Sequence, residues 1–109
     1  MNDVYINEEE ALKRLGGNKT LYIKLLKRFA EDQSYIKLVD TVAAGDLEEA
    51  ERLAHTIKGM AANLSLTAAY QEATNTDNML KGGSADPGVV QVFKEAMVNT
   101  IAAIAAYCG

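Results

Sequence analysis

DLEEAERLAHTIKGMAANL, residues 46–64, places Leu47, Ala50, Ala54, Ile57, Ala61 and Leu64 at 3-4-3-4-3 spacing, which keeps them on one stripe of an α-helix. Asp46 is the expected N-cap, with Glu49 at the reciprocal position of a capping box. A helix with one apolar stripe must bury it against other elements, so the flanking sequence has to supply the partners.

Upstream, Gly45 reads as the stop of a long helix predicted over Lys19 to Ala44 and capped by Asn18. Leu21, Leu25, Phe29, Ile36 and Val39 are its core candidates. Before it, Asn7 and Glu10 cap a short helix from Glu8 to Leu15 that ends at Gly16-Gly17 and is too short to stand alone. Downstream, the pattern loosens around Ser65 to Thr67. A fourth helix to about Lys81 follows, weakened by the poor helix formers Thr74-Asn75-Thr76-Asp77-Asn78, and Gly82-Gly83-Ser84 closes it in a loop. Asp86-Pro87, a cap followed by a first-turn proline, opens a last helix through Val90, Phe93, Met97, Ile101 and Ile104. The expected fold is all-α, an antiparallel up-down four-helix bundle with a short extra N-terminal helix.

The 109 residues suffice for a single domain, spanning 1–109, with one modest core. At 49% hydrophobic and 24% charged, the composition excludes collagen-like, disordered and disulfide-scaffold classes. Cys108 has no partner for an internal disulfide and reads as an inert late-helix residue, and the N-terminus lacks the basic and apolar regions of a secretory leader. Cytoplasm is therefore the expected compartment. The most apolar stretch, Ile101 to Tyr107, is too short to span a bilayer, and no membrane role is expected. A net charge of −4, with Lys and Arg dispersed among acids, disfavours nucleic acid as a partner.

His55 is the sole histidine. At 3.6 residues per turn it points about 140° away from the mean direction of the apolar stripe, toward solvent or the flank of the bundle. Lys58, at i+3, can set its ammonium beside an anion on the imidazole. Gly59, at i+4, costs about 1 kcal/mol relative to alanine inside a helix. Two readings suit it: with Ala62 it leaves a bare patch that another protein can approach, or it permits a close helix crossing. One histidine without a neighbouring Cys, His or acid ligand set does not make a zinc site. Imidazole is a nucleophile at neutral pH, and phosphoryl transfer asks mainly for positioning and charge neutralisation. The chain carries no Gly-rich nucleotide loop, Walker lysine or kinase signature.

The run Ala54-His55-Thr56-Ile57-Lys58-Gly59, with small residues after it, resembles the signature of histidine-containing phosphotransfer (HPt) domains. Leu15-Gly16-Gly17-Asn18 and Gly45-Asp46-Leu47 resemble the family's layout, so the likeness covers nearly the whole chain. It implies a phosphorelay intermediate of two-component signalling, in which His55 exchanges phosphate with receiver-domain aspartates of response regulators and receives it from a receiver or a sensor or hybrid kinase. By the same resemblance Lys58 neutralises phosphate, Gly59 makes room for the receiver, and Asp77 stands where many members orient the imidazole with a carboxylate or amide. Mg²⁺ comes from the receiver, and the chain has no cofactor of its own.

Docking is expected on the exposed face of the histidine helix, with Glu51, Arg52 and Ala62 around His55. Two departures from the family pattern, Ser65 for a common glycine and Thr76 for an apolar residue, are expected to weaken the fourth helix. The protein is expected to be a monomeric phosphocarrier rather than an enzyme, and Met1 with the compact length favours a free-standing chain. The alternative is a bundle that docks a receiver or kinase without carrying phosphate.

Overall fold

Where one long helix is predicted over Lys19 to Ala44, the chain folds as two. The computed structural model describes residues 4–109, so readings that concern Met1 to Asp3 lie outside the described residues. The chain breaks at Asp32, which takes an extended backbone (φ −76°, ψ 125°) and accepts the Ser34 N–H on its carboxylate at 2.7 Å. Asp and Ser side chains compete in this way with helical backbone bonds, and the Glu31-Asp32-Gln33-Ser34 run offers little propensity against them. The order is α1 (Glu8–Arg14), α2 (Lys19–Glu31), α3 (Ser34–Ala43), α4 (Leu47–Asn63), α5 (Thr67–Lys81) and α6 (Pro87–Cys108). No strand occurs among the described residues.

The break also changes the buried register. Tyr22, Leu26 and Phe29 of α2 and Leu38 of α3 are buried, whereas Leu21 and Ile36 are exposed and Leu25 and Val39 half-buried. Residues 21, 22, 25 and 26 are all apolar or aromatic, so the helical pattern admits two phases. Tyr22 settles it, because its hydroxyl donates to the Leu64 carbonyl at 2.7 Å while its ring is fully buried.

Elsewhere the expected cores largely hold. In α4, Ala50, Ala54, Ile57 and Ala61 are buried together with Leu53, and Leu64 closes the end. In α6, Val90, Phe93, Met97 and Ile104 are buried, while Ile101 is half-buried and Thr100 takes an inner position. The weak stretch of α5 is helical, held by the burial of Ala69, Ala73 and Leu80, and Thr74 and Thr76 donate their hydroxyls to the carbonyls of Tyr70 (2.7 Å) and Glu72 (2.8 Å). The second of these bonds satisfies the Thr76 hydroxyl inside the core, in a place where the family pattern has an apolar residue.

Contacts run α3 to α4, α4 to α5, α5 to α6 and α6 back to α3, with α2 packed on α6 and α1 on α2. The molecule is a rod of 41 × 22 × 22 Å. The 22 residues of α6 are long and apolar enough to cross a membrane, which the stretch Ile101 to Tyr107 alone is not. Their buried Val90, Phe93, Met97 and Ile104 belong instead to this core.

Ser65, between α4 and α5, has φ +55°, a left-handed conformation that glycine adopts more readily. Its hydroxyl donates to Glu10 Oε1 (2.7 Å) and accepts from Arg14 Nη1 (2.8 Å), and its carbonyl accepts the Asn7 N–H (3.0 Å). Serine in place of glycine therefore gains bonds that fasten α1 to the end of the histidine helix.

Candidate functional site

The N-terminus of α4 is capped by Asp46, whose side chain accepts the Glu49 N–H at 3.2 Å. The reciprocal half of the capping box is not formed. Glu49 instead takes two hydrogen bonds from Arg52 (2.8 and 2.7 Å) and pairs with Lys37 at 3.5 Å, while the Asp46 N–H donates to the Thr41 carbonyl. The Arg52 bonds, with the added charge of Lys37, hold the Glu49 carboxyl at about 2. Arg52 is thus drawn back along the helix, though most of its side chain stays exposed.

One turn on, His55 leaves the helix into solvent with its side chain 67% exposed, on the side its helical phase demands. Nδ1 faces the neighbouring helix, 3.8 Å from Asp77 Oδ2, beyond hydrogen-bond length but within reach of an ion pair. The shorter aspartate arm leaves that gap. Asp77 itself is fully buried, so it is no surface acid.

Lys58 Nζ lies 3.1 Å and Lys81 Nζ 3.4 Å from the same Oδ2. Burial pushes the Asp77 carboxyl up, but the hydrogen bonds and charges of Lys58 and Lys81 together outweigh it and hold the group below its ordinary value. Oδ1 of Asp77 is buried without a partner. Lys58 is therefore bound to a carboxylate rather than loose in solvent, and its side chain is only 24% exposed.

Gly59 is exposed, and a Cβ added there would meet nothing within 4 Å. No close helix crossing occupies the space, which leaves the bare patch of the two readings. Ala62 is also exposed and lines a shallow depression with Glu10, Arg14, Thr67 and Tyr70. Toward the helix start, Glu51 and Arg52 line an open groove with His55. Glu51, Arg52, His55, Gly59 and Ala62 thus share one face of α4, with Lys58 at its edge toward α5.

Lys81 is the one member of this cluster that the sequence alone does not single out. Its signal was there, since i+4 from Asp77 is the spacing of a helical ion pair, but that spacing reads as surface charge until Asp77 is known to be buried. No cluster of three or more His, Cys, Asp or Glu suited to a metal occurs among the described residues.

Residues 21–107 match the family model described as the Hpt domain. The chain belongs to the Hpt domain family. No curated protein and no solved structure matches it. Hpt domains are phosphotransfer modules of two-component signalling, phosphocarriers rather than enzymes, and they interact with kinases and response regulators. In this Hpt chain the matched span contains α3 to α5 and most of α2 and α6, and hence His55, Lys58, Gly59, Asp77 and Lys81.

Proposed function

We propose that this protein is a phosphorelay intermediate in which His55 accepts a phosphoryl group and exchanges it with the aspartate of a response-regulator receiver domain. The observation that carries the reading is the placement of an exposed imidazole beside a buried carboxylate and two ammonium groups, on a helix face left open at Gly59.

The orientation favours Nε2 as the nucleophile, because Nδ1 is turned toward Asp77. Attack on the receiver's aspartyl phosphate forms the Nε2–P bond as the P–O bond breaks, and the electron pair returns to the receiver's carboxylate. Nδ1 keeps its proton, the ring takes one positive charge, and Asp77 offsets it. The reverse sequence passes phosphate on. The receiver supplies Mg²⁺, which neutralises charge on the phosphoryl oxygens, and the chain brings no cofactor, nucleotide site or kinase activity.

Glu51, Arg52 and Ala62 surround His55 on the face we assign to receiver docking. We read the whole chain as one monomeric, cytoplasmic domain with its four long walls antiparallel, the pair α2 and α3 supplying one of them. The test is incubation of the protein and of His55→Gln with a panel of phosphorylated receivers. Acid-labile, alkali-stable label on the parent and none on the folded variant is the expected result. Continued uptake by His55→Gln overturns the assignment, and binding of a receiver with no label on the parent favours the bundle that docks without carrying phosphate.

A further inference from the structure

We infer that Lys81 is a second phosphate-binding cation, parked on Asp77 in the resting protein and released to the phosphoryl group when His55 is modified. The inference rests on the phosphocarrier reading of His55 and adds a residue to it.

Two ammonium groups converge on one carboxylate oxygen, Lys58 at 3.1 Å and Lys81 at 3.4 Å. One lysine is enough to balance Asp77, so the second leaves a net positive charge beside the imidazole. The two ammoniums repel each other across that shared oxygen. Such an arrangement favours giving up one cation as soon as an anion arrives nearby.

Both lysines also lie close to His55, whose Nδ1 is 3.8 Å from the same oxygen. The two are unequal. Lys58 is 24% exposed and starts one turn from His55 on α4, so it can bridge Asp77 and a phosphoryl oxygen without leaving its place. Lys81 is 51% exposed, at the last residue of α5, and its four-carbon stem is free to swing through solvent. A phosphoryl group brings about −1.5 to −2 charges, more than Lys58 alone can balance. Lys81 is therefore the mobile partner and Lys58 the fixed one.

The experiment phosphorylates the full chain with phosphoramidate, whose P–N bond breaks with release of ammonia as the Nε2–P bond forms. The last ionisation of the phosphoryl group is then followed by ³¹P NMR. With Lys81→Gln this ionisation is expected to rise by about half a pH unit, the size of one exposed ion pair, and Lys81→Arg to restore it. Asp77→Asn, which frees Lys81 from its resting partner, is expected to shift the ionisation downward. Identical titrations for the parent and Lys81→Gln overturn the inference while leaving His55 as the phosphoacceptor. An upward shift in Asp77→Asn overturns the hand-over. If neither phosphoramidate nor any phosphorylated receiver labels His55, the phosphocarrier reading fails and this inference falls with it.

Discussion

At the scale of single residues, the decisive feature is a buried charge kept ionised by two lysines. Asp77 titrates below its ordinary range because Lys58 and Lys81 outweigh the cost of its burial. A carboxyl lowered in the folded state stabilises the fold above its unfolded value, and that contribution is lost as pH falls through the lowered one. Asp77→Asn is therefore expected to cost about 1.5–3 kcal/mol at neutral pH, the range for hydrogen bonds to a charged group. The difference from the parent should begin to narrow below about pH 4, where an unfolded aspartate takes up its proton, and close only as pH falls through the lowered folded value. Urea denaturation at pH 7 and pH 3 checks this, and a pH-independent difference would mean that the carboxylate's charge contributes nothing. The residue-level site was legible as far as one helix could carry it. The direction of His55 and its neighbours Lys58 and Gly59 follow from helical phase alone. The burial of Asp77 does not, because it depends on how α5 lies against α4, and without it Lys81 looks like any surface lysine.

At the scale of elements, the joints between helices hold what periodicity alone does not reveal. The seven-residue spacing of Phe29 and Ile36 carries the helical pattern across the polar run Glu31-Asp32-Gln33-Ser34, yet the Asp32 side chain binds the Ser34 N–H and a new helix starts there. Asp32→Ala is expected to cost about 1 kcal/mol, the usual net worth of one such hydrogen bond, and the loss should appear in thermal melts without loss of His55 phosphorylation. Ser65 makes a sharper case, because its left-handed backbone and its hydroxyl act in opposite directions. Ser65→Ala keeps the backbone strain and removes the bonds to Glu10 and Arg14, so it is expected to destabilise by about 1–3 kcal/mol. Ser65→Gly loses the same bonds but relieves about 1 kcal/mol of left-handed strain, and should be the milder change. Equal losses in the two variants, measured by urea denaturation, would show that the strain is negligible. From sequence, Ser65 stood out only as a departure from glycine. Its compensation lies in residues about fifty positions away, which no local pattern connects.

At the scale of the whole molecule, the segment outside the family match is fastened at both ends of its own helix. The match begins at residue 21, after α1. Yet Ile6 and Ala11 are buried in the common core, and Arg14 reaches the Asn63 carbonyl and the Ser65 hydroxyl at the end of α4. At the other end Glu8 accepts a hydrogen bond from Tyr107 of α6 and pairs with Lys19, which lies over the Tyr107 ring at 5.5 Å. Tyr107 in turn meets Tyr22 edge to face, with ring centroids 6.0 Å apart. Helix α1 therefore covers apolar surface of the bundle and adjoins the face that carries His55 and Gly59 at its Ala62 end, where Glu10 and Arg14 share a depression with Ala62. Full burial of an isoleucine side chain is worth about 1.5–3 kcal/mol, so removal of residues 1–17 should lower stability by at least that much. Phosphoryl uptake by the remaining folded fraction should stay within about twofold of the parent, since His55, Lys58, Asp77 and Lys81 all lie outside the removed segment and 1.4 kcal/mol would be a tenfold change. Urea denaturation and initial rates measured well below the melting transition separate the two effects. An unchanged denaturation midpoint would make α1 an appendage. A lost rate at full folding would instead place α1 in receiver docking, by way of the depression it shares with Ala62.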